Sequence, residues 1–403
     1  MKILFLTKLL PHPLGISGSI IIYNRIRYLA ECGHQVSLLS FMRPEDEPYV
    51  AGIRPLVTEL ELIPAPQVES PFKRLAYQLF STTPSPFREM RSWAMLHRVG
   101  EMVERSHVQV VIAEFSAMGQ YLYRNPHLPA VRRIISCHEC CTKAFATAIR
   151  FHRWSLSGIM KQIGFNQVKQ YEFAMYHNAD HVLVLTPQER YVLLKYAPNL
   201  RVTVVPHYVD VNYYSTAPKE AEREESLIFV GYYFNESNRD AVHWFVRTVW
   251  PQLKKDRPHL KFYIVGRGDT PAIRDLARRD PQIVVTGEVQ DIRPFLARAR
   301  VFICPIRIGS GFRAKILEAM ASGLPVVSTS LGAEGIPSGG GETLLLADTP
   351  GQMLKCIRLL LTDEGLCAAM AVKARELVVN RFANENGMAA LDRVVSDVVA
   401  GRD

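Results

Sequence analysis

No apolar run in this sequence is long enough to cross a bilayer, and the mean hydropathy is close to zero, which argues against a membrane-spanning chain. The first ten residues, MKILFLTKLL, are too short for the apolar core of a secretory signal. No small-residue cleavage site follows them, so they read as a first core strand. Cysteine is sparse: the seven present are an odd number scattered through 403 residues, a usage that suits a reducing compartment. Cys137-x-x-Cys140-Cys141 lacks a second close pair, and Cys32, Cys304, Cys356 and Cys367 stand alone. A structural zinc site needs four ligands, so no metal is expected. The glycines after the first strand do not follow the dinucleotide fingerprint, and no acidic residue ends the second strand, which argues against NAD. No zinc pattern or nucleic-acid-binding module accompanies the positive charge, so nucleic acid is not an expected partner.

What is present is 48% apolar residues, enough for two domains of about 200 residues with real cores. The net charge of +9 is unevenly spread. Residues 1–200 carry 22 Lys and Arg against 15 Asp and Glu, and residues 201–403 carry 26 against 24. The basic first half fits an anionic membrane, an anionic acceptor, or simply a solvated face. Short buried-strand runs alternate with helical periods in both halves, which predicts an α/β chain of two doubly wound domains.

The most informative stretch is VFICPIRIGSGFRAKILEAMASGLPVVSTS, Val301 to Ser330. Val301–Cys304 has the composition of a buried parallel strand. Gly309, Ser310 and Gly311 follow, and the glycines let the backbone approach a ligand closely. A helix is expected from Phe312 or Arg313, and its free N–H groups make an anion site. Arg313 and Lys315 fall in its first turn, where cations are unfavourable unless something negative is bound. Glu318 follows Lys315 on the same face. A diphosphate suits the loop and Lys315. A ribose suits Glu318, because a carboxylate accepts two hydroxyl hydrogen bonds. Gly323-Leu324-Pro325 ends the helix, and Val326–Thr329 is the next strand.

These residues, with GAEGI at Gly332–Ile336, resemble the nucleotide-sugar site of the retaining GT-B glycosyltransferases (glycosyl transferases group 1, family 4-like), in the subgroup whose loop reads G-x-G-x-R-x-K-x-x-E-A. The resemblance implies two Rossmann-like domains facing a cleft. Residues 1–205 would form the acceptor-side domain, 206–380 the nucleotide-sugar domain, and 381–403 a helix crossing back. It further implies a hexosyltransferase-like reaction, with retention, from a nucleotide-diphosphate sugar to a glycan, lipid-linked or small-molecule acceptor, with no cofactor. No Asp-x-Asp occurs, so a metal-bridged diphosphate is not expected and the helix N-terminus and cations take that charge. In much of the wider family a further glutamate holds the donor sugar; Ser310 occupies that position here. This departure keeps a non-catalytic binding or scaffold protein in view, and nucleotide-sugar epimerases share a similar architecture. The expected setting is cytoplasmic assembly of polysaccharide or lipid-linked glycan, with peripheral contact at the anionic inner face of the membrane.

Other residues follow in chain order. After the strand Lys2–Thr7, a loop leads into a helix over Ile20–Cys32, closed by Gly33. By the resemblance Gly18, between Ser17 and Ser19, faces donor phosphate and acceptor; without it, the loop is an ordinary strand-to-helix turn. Val57–Ile63 and Val108–Ala113 read as strands, the latter with Glu114 at its end. Arg132–Ser136 is followed by Cys137-His138-Glu139. Residues at the C-terminal ends of parallel strands face the ligand crevice. The resemblance implies His138 beside the reacting sugar, positioning or stabilising it, and Glu139, next in sequence, is a candidate partner. Two basic, aromatic stretches, 70–106 and Phe145–Asn178, are candidates for a membrane-facing or acceptor-facing surface. A partly buried helix explains the first equally well. In the second half Leu227–Val230 ends at Gly231. Asn238 is expected to cap the next helix, with Arg239 turned to phosphate or to solvent. Phe262–Val265 ends at Gly266, where the resemblance implies packing of base and ribose.

Overall fold

The computed structural model describes residues 1–13, 18–66, 83–152, 155–215, 223–268, 270–383 and 386–402. The chain divides into two compact units, one of residues 1–206 with 385–403 and one of residues 207–384. Each is a parallel sheet flanked by helices, so the chain is α/β with two Rossmann-like domains.

The strands of the first unit are β1 (Lys2–Thr7), β2 (Gln35–Met42), β3 (Glu59–Pro64), β4 (Val110–Glu114), β5 (Arg132–Cys137), β6 (His181–Val184) and β7 (Val202–Val204). They lie in the order β3-β2-β1-β4-β5-β6-β7, and every pairing is parallel. Helices cover both faces of such a sheet, which is why Ile3 to Thr7 and Val110 to Glu114 are buried without alternation. The order reverses between β1 and β4. Their connections leave in opposite directions there and open a crevice at the C-terminal ends of the strands. Thr7 and Glu114 are register partners at that point.

Helix α1 (Gly18–Glu31) follows β1, and Gly33, at φ 82°, ends it. Helix α2 (Trp93–Arg105) begins at Ser92, whose Oγ accepts from Met95 N, and it buries Met95, Val99 and Met102. Its Arg98 and Arg105 pair with Glu61 of β3. This part of the basic stretch is therefore a partly buried helix with paired arginines, while residues 67–82 lie outside the described residues. The helical pattern of the second stretch, Phe145–Asn178, reads in the sequence as a single run. It is instead two helices, α3 (Cys141–His152) and α4 (Leu156–Asn178). Ser155 caps the second, its Oγ accepting from Gly158 N at 3.1 Å, and a cap residue holds extended backbone that interrupts the helix. The last helix, Asn386–Ala400, packs in this unit, where Asp392 bonds His34 at 2.7 Å.

The second unit has β8 (Ser226–Val230), β9 (Lys261–Val265), β10 (Ile283–Gly287), β11 (Val301–Cys304), β12 (Val326–Ser328) and β13 (Leu345–Leu346), in the order β10-β9-β8-β11-β12-β13. The reversal falls between β8 and β11. Helix α5 (Glu236–Thr248) follows β8, and α6 (Ala314–Ala321) follows β11. Every residue of α6 is buried, so even its charged side chains point into protein. No described helix is long and apolar enough to cross a membrane.

Candidate active site

In the second unit the loops that leave β8, β9 and β11 are shaped by glycine. Gly266 sits at φ 130°, and a Cβ there would lie 2.1 Å from the Gly231 carbonyl oxygen, so only glycine fits. Gly309 and Gly311 lie at φ 107° and 89° in the loop before α6. Asn238, expected as the cap of α5, is one turn inside it. The cap is Asn235, whose Oδ1 accepts from Ser237 N at 2.9 Å. Both asparagines suit a helix start, and the backbone bends to extended form at the earlier one. Freed from capping, Asn238 is buried. Its Nδ2 donates to the Tyr232 carbonyl at 2.9 Å, and its Oδ1 accepts from Lys315 Nζ at 2.9 Å.

Lys315 is only 8% exposed, and its ammonium lies 4.4 Å from the centroid of the Phe229 ring. Among the described residues no carboxylate forms an ion pair with it. Burial pushes its pKa down to about 8, with Cys304 opposing and Arg313 adding to the shift. Glu318, one turn on, is also buried. Burial raises its carboxyl to about 7, against Lys315 and a hydrogen bond from Tyr214. The loop Gly309, Ser310, Gly311 and the pair Lys315 and Glu318 thus meet at one end of the sheet.

Arg313 departs from expectation. Helix α6 starts one residue later, and the Arg313 Nη1 donates to the carbonyls of Ser310, at 2.6 Å, and Gly311. The guanidinium braces the loop from behind, because a tight glycine turn leaves carbonyls that need donors. Arg239 acts likewise on its own loop, donating to Tyr233 O at 2.9 Å and Phe234 O at 2.6 Å.

In the first unit the reversal point holds a buried polar cluster. Arg25, from the middle of α1, donates through Nη1 to both Glu114 carboxylate oxygens at 2.9 Å and to Ser136 Oγ at 2.6 Å. Glu114 also bonds His138 Nε2. Burial alone would raise the Glu114 carboxyl, but Arg25 and then His138 hold it at about 2. Burial lowers His138, which Glu114 opposes and the charges of Arg25 and Lys8 reinforce. The ring is therefore neutral with its proton on Nε2, since an ionised carboxylate can only accept. Its other nitrogen is the acceptor. The partner of His138 is thus Glu114 and not the expected Glu139. Adjacent residues leaving a strand point to opposite sides, whereas β4 lies directly beside β5.

Phe115 follows Glu114 at φ 76°, ψ 141°, a conformation strained for a bulky residue by about 1–3 kcal/mol. Its ring stacks on His138 with centroids 4.3 Å apart, and Lys8 Nζ lies 3.7 Å from its centre. Gly18 is the first residue of α1, not a loop residue, and a Cβ there would lie 2.4 Å from Phe115 Cζ. Residues 14–17, with Ser17, lie outside the described residues. Behind His138, Glu172 of α4 accepts from Cys141 N and Thr142 N, each at 2.8 Å, from Thr142 Oγ1 at 2.6 Å and from Tyr176 OH at 2.9 Å. One carboxylate so caps the start of α3 and fixes the loop that carries His138.

The roles of Arg25, Glu114, Glu172 and Tyr214 escaped the sequence reading. Arg25 did leave a signal, for it falls on the buried stripe of Ile21, Ile22, Ile26 and Leu29, where a charge needs a buried partner. All seven cysteines are free thiols. Among the described residues no three His, Cys, Asp or Glu side chains converge as a metal site.

Two doubly wound domains, one with a glycine loop and a buried cation at its reversal point, define a Rossmann-like class of fold, and comparison with known proteins narrows it. The family model for glycosyl transferases group 1 matches residues 224–363, and that for glycosyltransferase family 4 matches residues 18–213. The chain belongs to the glycosyltransferases of the GT-B fold. A phosphatidyl-myo-inositol mannosyltransferase of Mycolicibacterium smegmatis is 29% identical over 182 residues, 43% of this chain and 46% of the relative. The aligned stretches span less than half the length of the curated relatives. Sucrose-phosphate synthase of Thermosynechococcus elongatus superposes over the whole of both chains with a TM-score of 0.74 at 16% identity. HepE of Anabaena, solved with UDP and glucose, covers 98% of this chain and 99% of its own, with a TM-score of 0.68 at 14% identity. These low identities speak for the fold.

Proposed function

We propose that the protein transfers a hexose from a nucleotide-diphosphate sugar to a glycan or lipid-linked acceptor, with retention and without a metal. The observation that carries this reading is the buried ammonium of Lys315, which meets an amide oxygen and an aromatic face and, among the described residues, forms no ion pair. A buried charge needs a counter-charge, and a diphosphate beside the glycine loop supplies one. The UDP and glucose bound by HepE of Anabaena support a ligand of this kind. In this reading Gly231, Gly266, Gly309, Ser310 and Gly311 admit the nucleotide, Asn238 orients Lys315, Arg313 and Arg239 stiffen the two loops, and Glu318 accepts the ribose hydroxyls.

In the transfer the bond from the anomeric carbon to the diphosphate oxygen breaks and the acceptor oxygen bonds that carbon. The acceptor proton passes to the leaving phosphate. His138, neutral and fixed by Glu114, offers an acceptor nitrogen to a sugar hydroxyl and takes no covalent part. Gly18 and Phe115 shape the wall beside it. A second reading, a binding protein that does not turn over, draws on Ser310, which is buried where much of the family carries a glutamate.

Calorimetry with UDP, GDP, ADP, TDP and CMP tests the donor site, using wild type, Lys315→Ala and Glu318→Ala. One diphosphate bound by wild type and lost in both folded variants is expected. No nucleotide bound by folded wild type would overturn the transferase reading. Binding without sugar release from any matching donor would favour the second reading.

A further inference from the structure

We infer that the end of the α3–α4 helix pair docks on an anionic bilayer surface, which, given the proposed transfer, brings the site to lipid-linked acceptors. Four large apolar side chains are exposed there: Phe151 by 47%, Leu156 by 77%, Ile159 by 43% and Ile163 by 80%. Leu156, Ile159 and Ile163 recur at the spacing that places residues on one face of α4, and Phe151 lies at the end of α3. Trp93, Tyr191 and Leu346 are exposed on separate elements, as single apolar residues are on any surface.

Charge selects the occupant. Residues 140–171 contain no Asp or Glu but include Lys143, Arg150, Arg153, Lys161 and Lys169. Arg150 lies over the Phe151 ring, 5.7 Å from its centroid. Apolar side chains beside cations, with no carboxylate among them, are the composition of a helix that enters a headgroup layer. A second copy of the same patch would set cation against cation. Helix α3 begins three residues after His138 and has 12 residues, so the apolar end stands about 18 Å away along its axis. A headgroup carried on a membrane lipid is within that reach.

The test is cosedimentation of the whole protein with vesicles of phosphatidylcholine alone and of phosphatidylcholine with about 30% phosphatidylglycerol. Neither donor nor acceptor is present, so the outcome is independent of the donor reading, which each variant's nucleotide titration reports separately. Wild type is expected to bind the mixed vesicles and not the neutral ones. Leu156→Ser with Ile163→Ser should weaken that binding about tenfold or more. Arg150→Gln with Lys161→Gln should weaken it and reduce its salt dependence. All four positions are in or beside solvent, and thermal melts check the fold. Absence of binding by wild type overturns the proposal, as does equal binding by folded serine variants. Wild-type dimers that the serine variants split, with no vesicle binding, also overturn it and make the patch a protein interface.

Discussion

At the end of β4 a buried arginine, glutamate and histidine answer one another, whereas beyond the end of β11 a buried lysine meets an amide oxygen and a ring and, among the described residues, forms no ion pair. Both places are reversal points of a doubly wound sheet, and both put charge where water is excluded. In the first a cation and an anion are in direct contact, and the pair fixes geometry. The second has no ion pair at its lysine among the described residues, and in the proposed reading a diphosphate supplies the anion. In that reading two like positions in like folds separate a framework for orientation from a seat for an anion.

The largest test of this contrast removes one charge from each. Glu114→Gln strands Arg25 without its anion and should cost about 3–5 kcal/mol of stability in urea unfolding. Lys315→Met removes a charge that nothing balances. It should change stability by no more than about 1 kcal/mol while weakening diphosphate binding about 10–100-fold. Equal losses of stability in the two variants would erase the distinction.

A second test uses pH. Glu318 must be ionised to accept hydroxyls, so donor affinity should fall as pH drops below about 7. Lys315 must be charged, so affinity should fall as pH rises above about 8. A sugar nucleotide is the right probe, because its diphosphate does not titrate in that range. Glu318→Gln should flatten the acid limb and Lys315→Met the alkaline one. Stability carries the opposite signature. From 4.5 to about 7 the folded chain keeps a proton on Glu318 that the unfolded chain has lost, so this group lowers stability as pH rises. From about 8 to 10.5 the unfolded chain keeps the Lys315 proton that the folded chain has lost, so stability rises with pH.

Smaller effects sharpen the first site. Gly18→Ala drives a methyl into the Phe115 ring and should cost about 1–3 kcal/mol, read as a lower thermal midpoint. Glu139→Gln should stay within about 0.5 kcal/mol of wild type, because its carboxylate takes no part in fixing His138. A loss as large as that of Glu114→Gln would restore Glu139 as the partner.

The strands were legible because parallel sheets bury both faces and so write continuous apolar runs, as in Ile3 to Leu6 and Val110 to Ala113. Their ends were legible for the same reason, and His138 and Glu114 were both visible there. Their pairing was not, since nothing local shows that β4 and β5 are neighbours. Arg25 was harder still: a charge in a helix reads as solvent-facing unless its place on the apolar stripe is noticed. The loop before α6 was read from its glycines, yet Arg313 turned inward, because carbonyls left by a tight turn compete with any ligand for its donors. Asn238 was misplaced by three residues in a segment with two good caps, and that shift is what frees its side chain to hold Lys315.

Glu172 grips the first turn of α3 through two backbone amides and a hydroxyl. Because that glutamate stands on α4, the clasp that closes the loop after β5 also joins the two helices, so the mount of the imidazole and the helix pair are one piece of scaffold.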